Sequence, residues 1–260
     1  MGIINATPNS FSNDGLGHDA KAACNRARQM IREGATIIDV GGESTRPGSD
    51  EVDPTEELKR VLPVVHCLTR EGIAVSIDTR HEEVAAQAVE HGACIINDIT
   101  GFSQEPMIRL AQNTNVGCIV MHMQGEPKSM QAAPRYDDVV GEVEQFLLAQ
   151  TRMLQERGIA QERICIDPGP GFGKDRTHNM ALLCATKRLS SHGYPLMAAW
   201  SRKRFIGELT GIEDPGQRAR ASALVAAYAA SQGACVLRVH DVAETVQALR
   251  VDSSKKSASL

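Results

Sequence analysis

Polar and charged residues recur directly at the ends of short apolar runs. Taken along the chain they are Asn5, Asp39, Asp78, Asn97, His122, Asp167, Lys203, Arg238 and His240. Any one of them has an ordinary reading as a strand end or helix cap. As a set they supply too many hydrogen-bonding and charged groups for that reading, and a ligand site explains them better. Asp78, Asn97 and Asp167 suit a flat heterocycle that presents N–H donors and ring acceptors. Arg46, Lys203, Arg238 and His240 suit an anion, since arginine can hold phosphate through two parallel hydrogen bonds. The substrate read from residue chemistry is a polar ring tethered to an anionic group, a phosphate or diphosphate.

These residues need a scaffold that brings strand ends together. Ala35-Thr36-Ile37-Ile38-Asp39-Val40 is a buried strand in type, and it opens at once into the polar stretch from Gly41 to Ser49. The same transition follows strands predicted at 1–5, 73–77, 94–96, 116–121, 163–166, 195–200 and 234–239. Amphipathic helices are predicted at 19–33, 54–70, 105–112, 137–157, 179–190 and 217–232, with another ending before Gly92 and a last one after Asp241. Asp53 with Glu56, Thr79 with Glu82 and Asp241 with Glu244 have the spacing of helix-capping boxes. Eight strand–helix units without a linker-like break predict an α/β fold, a (β/α)₈ TIM barrel in one domain over 1–251. Residues 252–260 read as a flexible C-terminal tail. An open doubly wound sheet is weaker, because no G-x-G-x-x-G follows the first strand.

The loop from Gly169 to Lys174 is one residue short of a P-loop, and Asp175 stands where Ser or Thr is needed. Its glycines suit tight backbone passage beside a flat ligand. His122, alone on an apolar strand end, reads as structural or as a pocket wall, and Met121 as core packing or a wall.

At 260 residues and net charge −4, with a pI near 6.1, the chain lacks the basic excess that nucleic acid or an anionic membrane would favour. The 7 cysteines include no C-x-x-C pair, which argues for reduced thiols rather than zinc or disulfides. No apolar run reaches the ~18 residues of a membrane span. The expectation is a cytoplasmic protein with no membrane partner and no nucleic-acid partner.

Several stretches together resemble dihydropteroate synthase, a pterin-binding TIM barrel: Met1 to Phe11, Gly41 to Ser49, Asp78-Thr79, Asn97-Asp98, Met121 to Gly125, Asp167 to Lys174, Ser201-Arg202-Lys203 and Arg238 to Asp241. The resemblance covers almost the whole chain in order, except that the family's leading hairpin is not expected. It implies condensation of 6-hydroxymethyl-7,8-dihydropterin diphosphate with p-aminobenzoate, giving 7,8-dihydropteroate and diphosphate in folate synthesis. By that analogy Asp78, Asn97, Asp167 and Lys203 hold the pterin, with Met121 and Phe172 as walls. Asn5 is the protein ligand to Mg²⁺. Arg46, Arg238 and His240 hold the diphosphate, so truncating Arg238 is expected to spare the pterin contacts. Thr45, Pro47, Ser201 and Phe11 shape the p-aminobenzoate site, where sulfonamides compete in this family. Arg46, Lys203, Arg238 and His240 are the catalytic set, and a homodimer is implied. Asn9 and Asn13 stand where the family usually has aspartates. A weakened pterin-binding paralogue and a pterin-dependent methyltransferase are the alternatives.

Overall fold

A computed structural model describes residues 1–7, 20–44 and 51–257. Eight strands alternate with helices. The order is β1 (Gly2–Asn5), α1 (Ala20–Glu33), β2 (Ile37–Gly41), α2 (Pro54–Arg70), β3 (Ala74–Asp78), α3 (Glu82–Glu90), β4 (Ile95–Asp98), α4 (Glu105–Asn113) and β5 (Gly117–Met121). There follow α5 (Val139–Glu156), β6 (Ile164–Asp167), α6 (Arg176–Cys184), α7 (Thr186–Ser190), β7 (Met197–Ala198), α8 (Arg204–Thr210), α9 (Ala219–Ser231), β8 (Val236–Leu237) and α10 (Val242–Ser257).

β1 to β6 pair in sequence, all parallel, and β7 pairs with β8. Single parallel bridges join Ile166 to Leu196 and Gly2 to Val239. Ile3 N–H donates to the Val239 carbonyl at 3.0 Å, and Val239 N–H donates to the Met1 carbonyl at 3.0 Å. The strand order therefore returns to its start, as an eight-unit barrel requires. β7 and β8 are shorter than predicted: Pro195 has no N–H to give, and the N–H groups of Cys235 and Val236 converge on the one carbonyl of Leu196.

Alternation along each strand separates two chemistries. Ile4, Ile38, Val40, Val75, Ile77, Ile96, Cys118, Val120, Ile164 and Ile166 join the apolar core shared with the helices. On α1, for example, Ala23, Cys24, Ala27 and Met30 form the buried stripe. That leaves Asn5, Asp39, Asp78, Asn97, Met121 and Asp167 on the inner face. Parallel register sets Asn5 opposite Gly41, Gly41 opposite Asp78, and Asp78 opposite Asn97. One inner row at the C-terminal strand ends is thus polar by construction.

Several local expectations change. Asp53 caps α2, accepting from Thr55 N–H at 2.9 Å, with Pro54 opening the helix. Thr79 does not cap α3. Its hydroxyl donates to the buried Glu57 carboxylate at 3.1 Å, a charged acceptor that outcompetes a neutral cap site, and His81 takes the cap position. Asp241 stands directly before α10, its carbonyl accepting from Thr245 N–H at 3.2 Å while its carboxylate faces Arg202, 2.9 Å from Nε. The helix predicted at 179–190 is two helices, divided where the Thr186 hydroxyl takes the Leu183 carbonyl at 2.7 Å. The alanine-rich helix starts at Ala219, after a single 3₁₀ turn. α10 continues to Ser257, past the Asp252 at which sequence reading began a tail.

Candidate active site

A cavity of about 570 Å³ opens at the C-terminal ends of the strands, within the range of small-molecule sites. Its floor is an acid–base–acid bridge. Arg238, just after β8, donates from Nε to Asp39 Oδ2 at 2.6 Å and from Nη2 to Asp78 Oδ2. Asp39 is fully buried, and the same oxygen accepts from the Asn97 amide at 3.3 Å. Asp39 Oδ1 has no hydrogen-bond partner among the described residues. Burial pushes Asp78 up to about 7, against the pull of Arg238 and with a further push from Asp39. Burial alone would lower Arg238, but Asp39 and Asp78 outweigh it and raise its affinity for the proton.

The glycine loop after β6 forms a wall. Gly169, Gly171 and Gly173 all take positive φ, at 62°, 81° and 62°. A Cβ on Gly169 would sit 2.0 Å from the His122 carbonyl, and one on Gly173 would sit 2.3 Å from the Gln124 carbonyl, so both positions exclude a side chain. Gly169 N–H donates to Asp167 Oδ1 at 2.8 Å. The Lys203 ammonium donates to the Pro170 carbonyl at 2.5 Å and lies 4.8 Å from the centre of the Phe172 ring. Burial lowers Lys203 to about 8, opposed by Asp167. Asp167 is raised by burial, with Lys203 the largest opposing influence.

The rim is built from the last two strands. Ser201 Oγ lies 3.0 Å from His240 Nδ1 and accepts from His240 N–H at 3.1 Å. Arg202 is anchored on Asp241, so the neighbouring backbone of β7 and β8 is fastened at this end. On the opposite side Glu43, which lines the cavity, is held by Arg80 at 2.8 Å. Glu43, Glu57 and His81 offer ligand atoms within 4.8 Å of one another, but Arg80 already engages Glu43, and His81 Nδ1 lies 2.8 Å from Glu57.

The sequence pattern of the family described as pterin binding enzymes matches residues 1–240. The chain belongs to that family. It is 46% identical over 259 residues to the dihydropteroate synthase of Escherichia coli strain K12, a match covering 99% of this chain and 92% of that protein. A Yersinia pestis dihydropteroate synthase solved with a sulfonamide drug complex matches with a TM-score of 0.93 at 41% identity, over 99% of this chain and 93% of that one. A Xanthomonas albilineans dihydropteroate synthase in complex with 7,8-dihydropteroate gives 0.89 at 41% identity, over 98% and 92%.

In this pterin-binding barrel, Asn5, Asp78, Phe172, Ser201, Lys203, Arg238 and His240 all line the one cavity. Asn97, Met121 and Asp167 lie behind that lining, each buried and facing the barrel interior. Phe11, Thr45, Arg46 and Pro47 lie outside the described residues, as do Asn9 and Asn13. Arg238 bonds Asp78 directly, so truncating it removes a partner of the residue that the resemblance assigns to the pterin. His122 is buried, 3.0 Å from the Lys174 ammonium, and is not on the cavity lining, which is its structural reading. Burial and then Lys174 lower it to about 3.

Sequence reasoning placed Asp39 in the strand-end set without giving it a particular role, and it gave Lys174 none. A carboxylate interrupting Ile37-Ile38 and Val40 was the available signal for Asp39. Lys174 carried none, since a lysine after a glycine loop is usually solvated. Gln131 and Arg176 also line the cavity, and only folding brings their loops there.

Proposed function

We propose that this protein is a dihydropteroate synthase: it condenses a dihydropterin carrying a 6-hydroxymethyl diphosphate with p-aminobenzoate and releases diphosphate. The observation that carries the reading is the Asp39–Arg238–Asp78 bridge on the floor of a cavity whose other walls are Lys203, Phe172, Ser201 and His240. Carboxylates lie deep and cations lie around them, which suits a ring that becomes cationic as an anion departs.

In this mechanism Asp78 accepts N–H bonds from the pterin and, with Asp167 behind it, favours the positive charge that develops on the ring as the C–O bond breaks. Arg238 keeps Asp78 oriented and offset in charge until the pterin replaces part of that interaction. Lys203 donates to a ring acceptor, and Phe172 lies against the ring. His240, Arg238 and Arg46 neutralise the departing diphosphate. The arylamine nitrogen then attacks the methylene carbon, and the amine proton leaves to solvent. No protein nucleophile is required. Ser201, with Thr45, Pro47 and Phe11, shapes the arylamine site.

The Asn5 side chain is a hard oxygen donor on the cavity lining, a type that suits Mg²⁺ with substrate oxygens and water completing the shell. Asn5 would hold that ion, whose contribution when bound is charge neutralisation on the diphosphate. We place the protein in the cytoplasm as a homodimer. No described helix is long and apolar enough to cross a membrane, and Leu224 and Tyr228 leave an exposed apolar face on α9.

The test is diphosphate release by the purified protein mixed with both substrates and Mg²⁺. Release that depends on p-aminobenzoate is the expected result. Pterin binding without release would leave the paralogue reading, and methyl transfer from a methylated folate would replace the synthase reading.

A further inference from the structure

Lys174 is among the most buried side chains of the protein, 2% exposed, yet no carboxylate contacts its ammonium among the described residues. Its Nζ donates to the Phe172 carbonyl at 2.9 Å and to the His122 carbonyl at 3.2 Å, and lies 3.0 Å from His122 Nδ1. Asp167 and Lys203 act on it only through space, and burial lowers it to about 7. A buried cation without an ion pair is costly, and it persists only where its donors are well used. Here the donors join two elements: the end of β5, through His122, and the glycine loop, through Phe172.

The loop needs such a fastening. Its alternating left-handed glycines give it no regular hydrogen-bond ladder of its own. Beyond one backbone bond, Phe172 N–H to the Gly169 carbonyl at 3.1 Å, its partners include side chains: Asn179 Oδ1 on Gly171 N–H at 2.8 Å, and the Tyr136 hydroxyl on the Gly173 carbonyl at 2.9 Å. The His122 carbonyl that takes Lys174 is also the one Gly169 packs against. One anchor point thus fixes the loop on both sides of Phe172, and Phe172 is the ring on the cavity wall over which Lys203 sits.

We infer that Lys174, which itself reaches the cavity lining, is a positioning residue for the ring-binding wall: by tying the Phe172 carbonyl to the end of β5 it sets where the Phe172 ring and Lys203 meet the pterin, its ammonium bonding protein groups rather than the substrate. This rests on the proposed synthase reading. It implies that removing Lys174 weakens pterin binding through Phe172 and leaves arylamine binding alone.

The experiment compares the full-length protein with Lys174→Met, Lys174→Gln, Phe172→Ala and each Lys174 variant combined with Phe172→Ala. Met has a similar volume and no charge to bury, so it is the variant most compatible with folding. Gln keeps an N–H donor on a shorter arm and serves if Met does not fold. The expected result is a rise of about tenfold in KM for the pterin diphosphate, larger for Met than for Gln. KM for p-aminobenzoate and kcat should stay within about twofold. In the Phe172→Ala background the same Lys174 substitution should add less than about twofold, because the residue it positions is gone. An equal rise in both backgrounds, a loss confined to kcat, or unchanged kinetics overturns the inference. If the parent protein itself releases no diphosphate, the synthase reading fails. Pterin affinity measured by fluorescence titration on the same six proteins then still decides the Lys174 question.

Discussion

Replacing Arg238 by methionine is the most informative perturbation, because it removes one cation from between two carboxylates. Asp39 has no exposed side-chain surface, and Asp78 and Arg238 retain 14% and 17%. At an effective dielectric near 20, unit charges about 4 Å apart attract by about 4 kcal/mol, and breaking a buried pair typically costs about 3–5 kcal/mol because the partner is left uncompensated. Arg238→Met should therefore lower unfolding stability by about 3–5 kcal/mol at pH 8. The pH dependence has a definite sign. The folded-state Asp78 is already raised to about 7, and losing Arg238 removes the largest influence holding it down. A carboxyl whose folded pKa exceeds its unfolded value near 3.8 contributes stability at low pH that is lost as pH rises through the folded pKa. The deficit of the variant should accordingly shrink toward pH 5.5, where protonation relieves the unpaired charge. Urea-unfolding curves of parent and variant at pH 8 and pH 5.5 measure this directly, and pterin titration should show affinity lost together with turnover. A deficit under about 1 kcal/mol at pH 8, or one that does not shrink on acidification, would refute the bridge as the organiser of the floor.

The affinity for the unphosphorylated pterin alcohol, which removes titration of diphosphate from the measurement, should be bell-shaped in pH. It rises as Asp78 ionises near 7 and falls as Lys203 loses its proton near 8, and Asp78→Asn should abolish the acid limb in isothermal titration. Gly169→Ala should cost more than about 3 kcal/mol or prevent folding, since its Cβ would meet backbone at 2.0 Å. Gly72→Ala, at φ 73° with nothing within 4 Å, should cost only about 1–2 kcal/mol for the left-handed backbone; equal melting temperatures for the two variants would contradict the packing argument. Asn5→Leu should raise the Mg²⁺ concentration for half-maximal diphosphate release by about tenfold, and an unchanged Mg²⁺ curve would remove Asn5 from the metal shell.

Local physics was legible from the chain alone. β-branched runs ending in Asn, Asp or His gave short parallel strands with polar termini, and the eight-fold alternation with helices gave the barrel. Motif order along the chain gave the family, which the full-length relatives bear out. Capping was read well where the cap had no competitor, as at Asp53, and wrongly at Thr79, where a charge from another element was the stronger partner.

What the tertiary structure decided was which charges meet. Arg238 and Asp39 are 199 positions apart, and Lys174 and His122 are 52 apart; no local periodicity encodes either encounter. The sequence determined which groups stand at strand ends, because side-chain alternation and residue type are properties of the neighbouring few residues. Closure of the ring decided that Arg238 reaches inward to bridge Asp39 and Asp78. Only within a closed, water-poor interior is a lone lysine better off bonded to two carbonyls and a histidine than left in solvent.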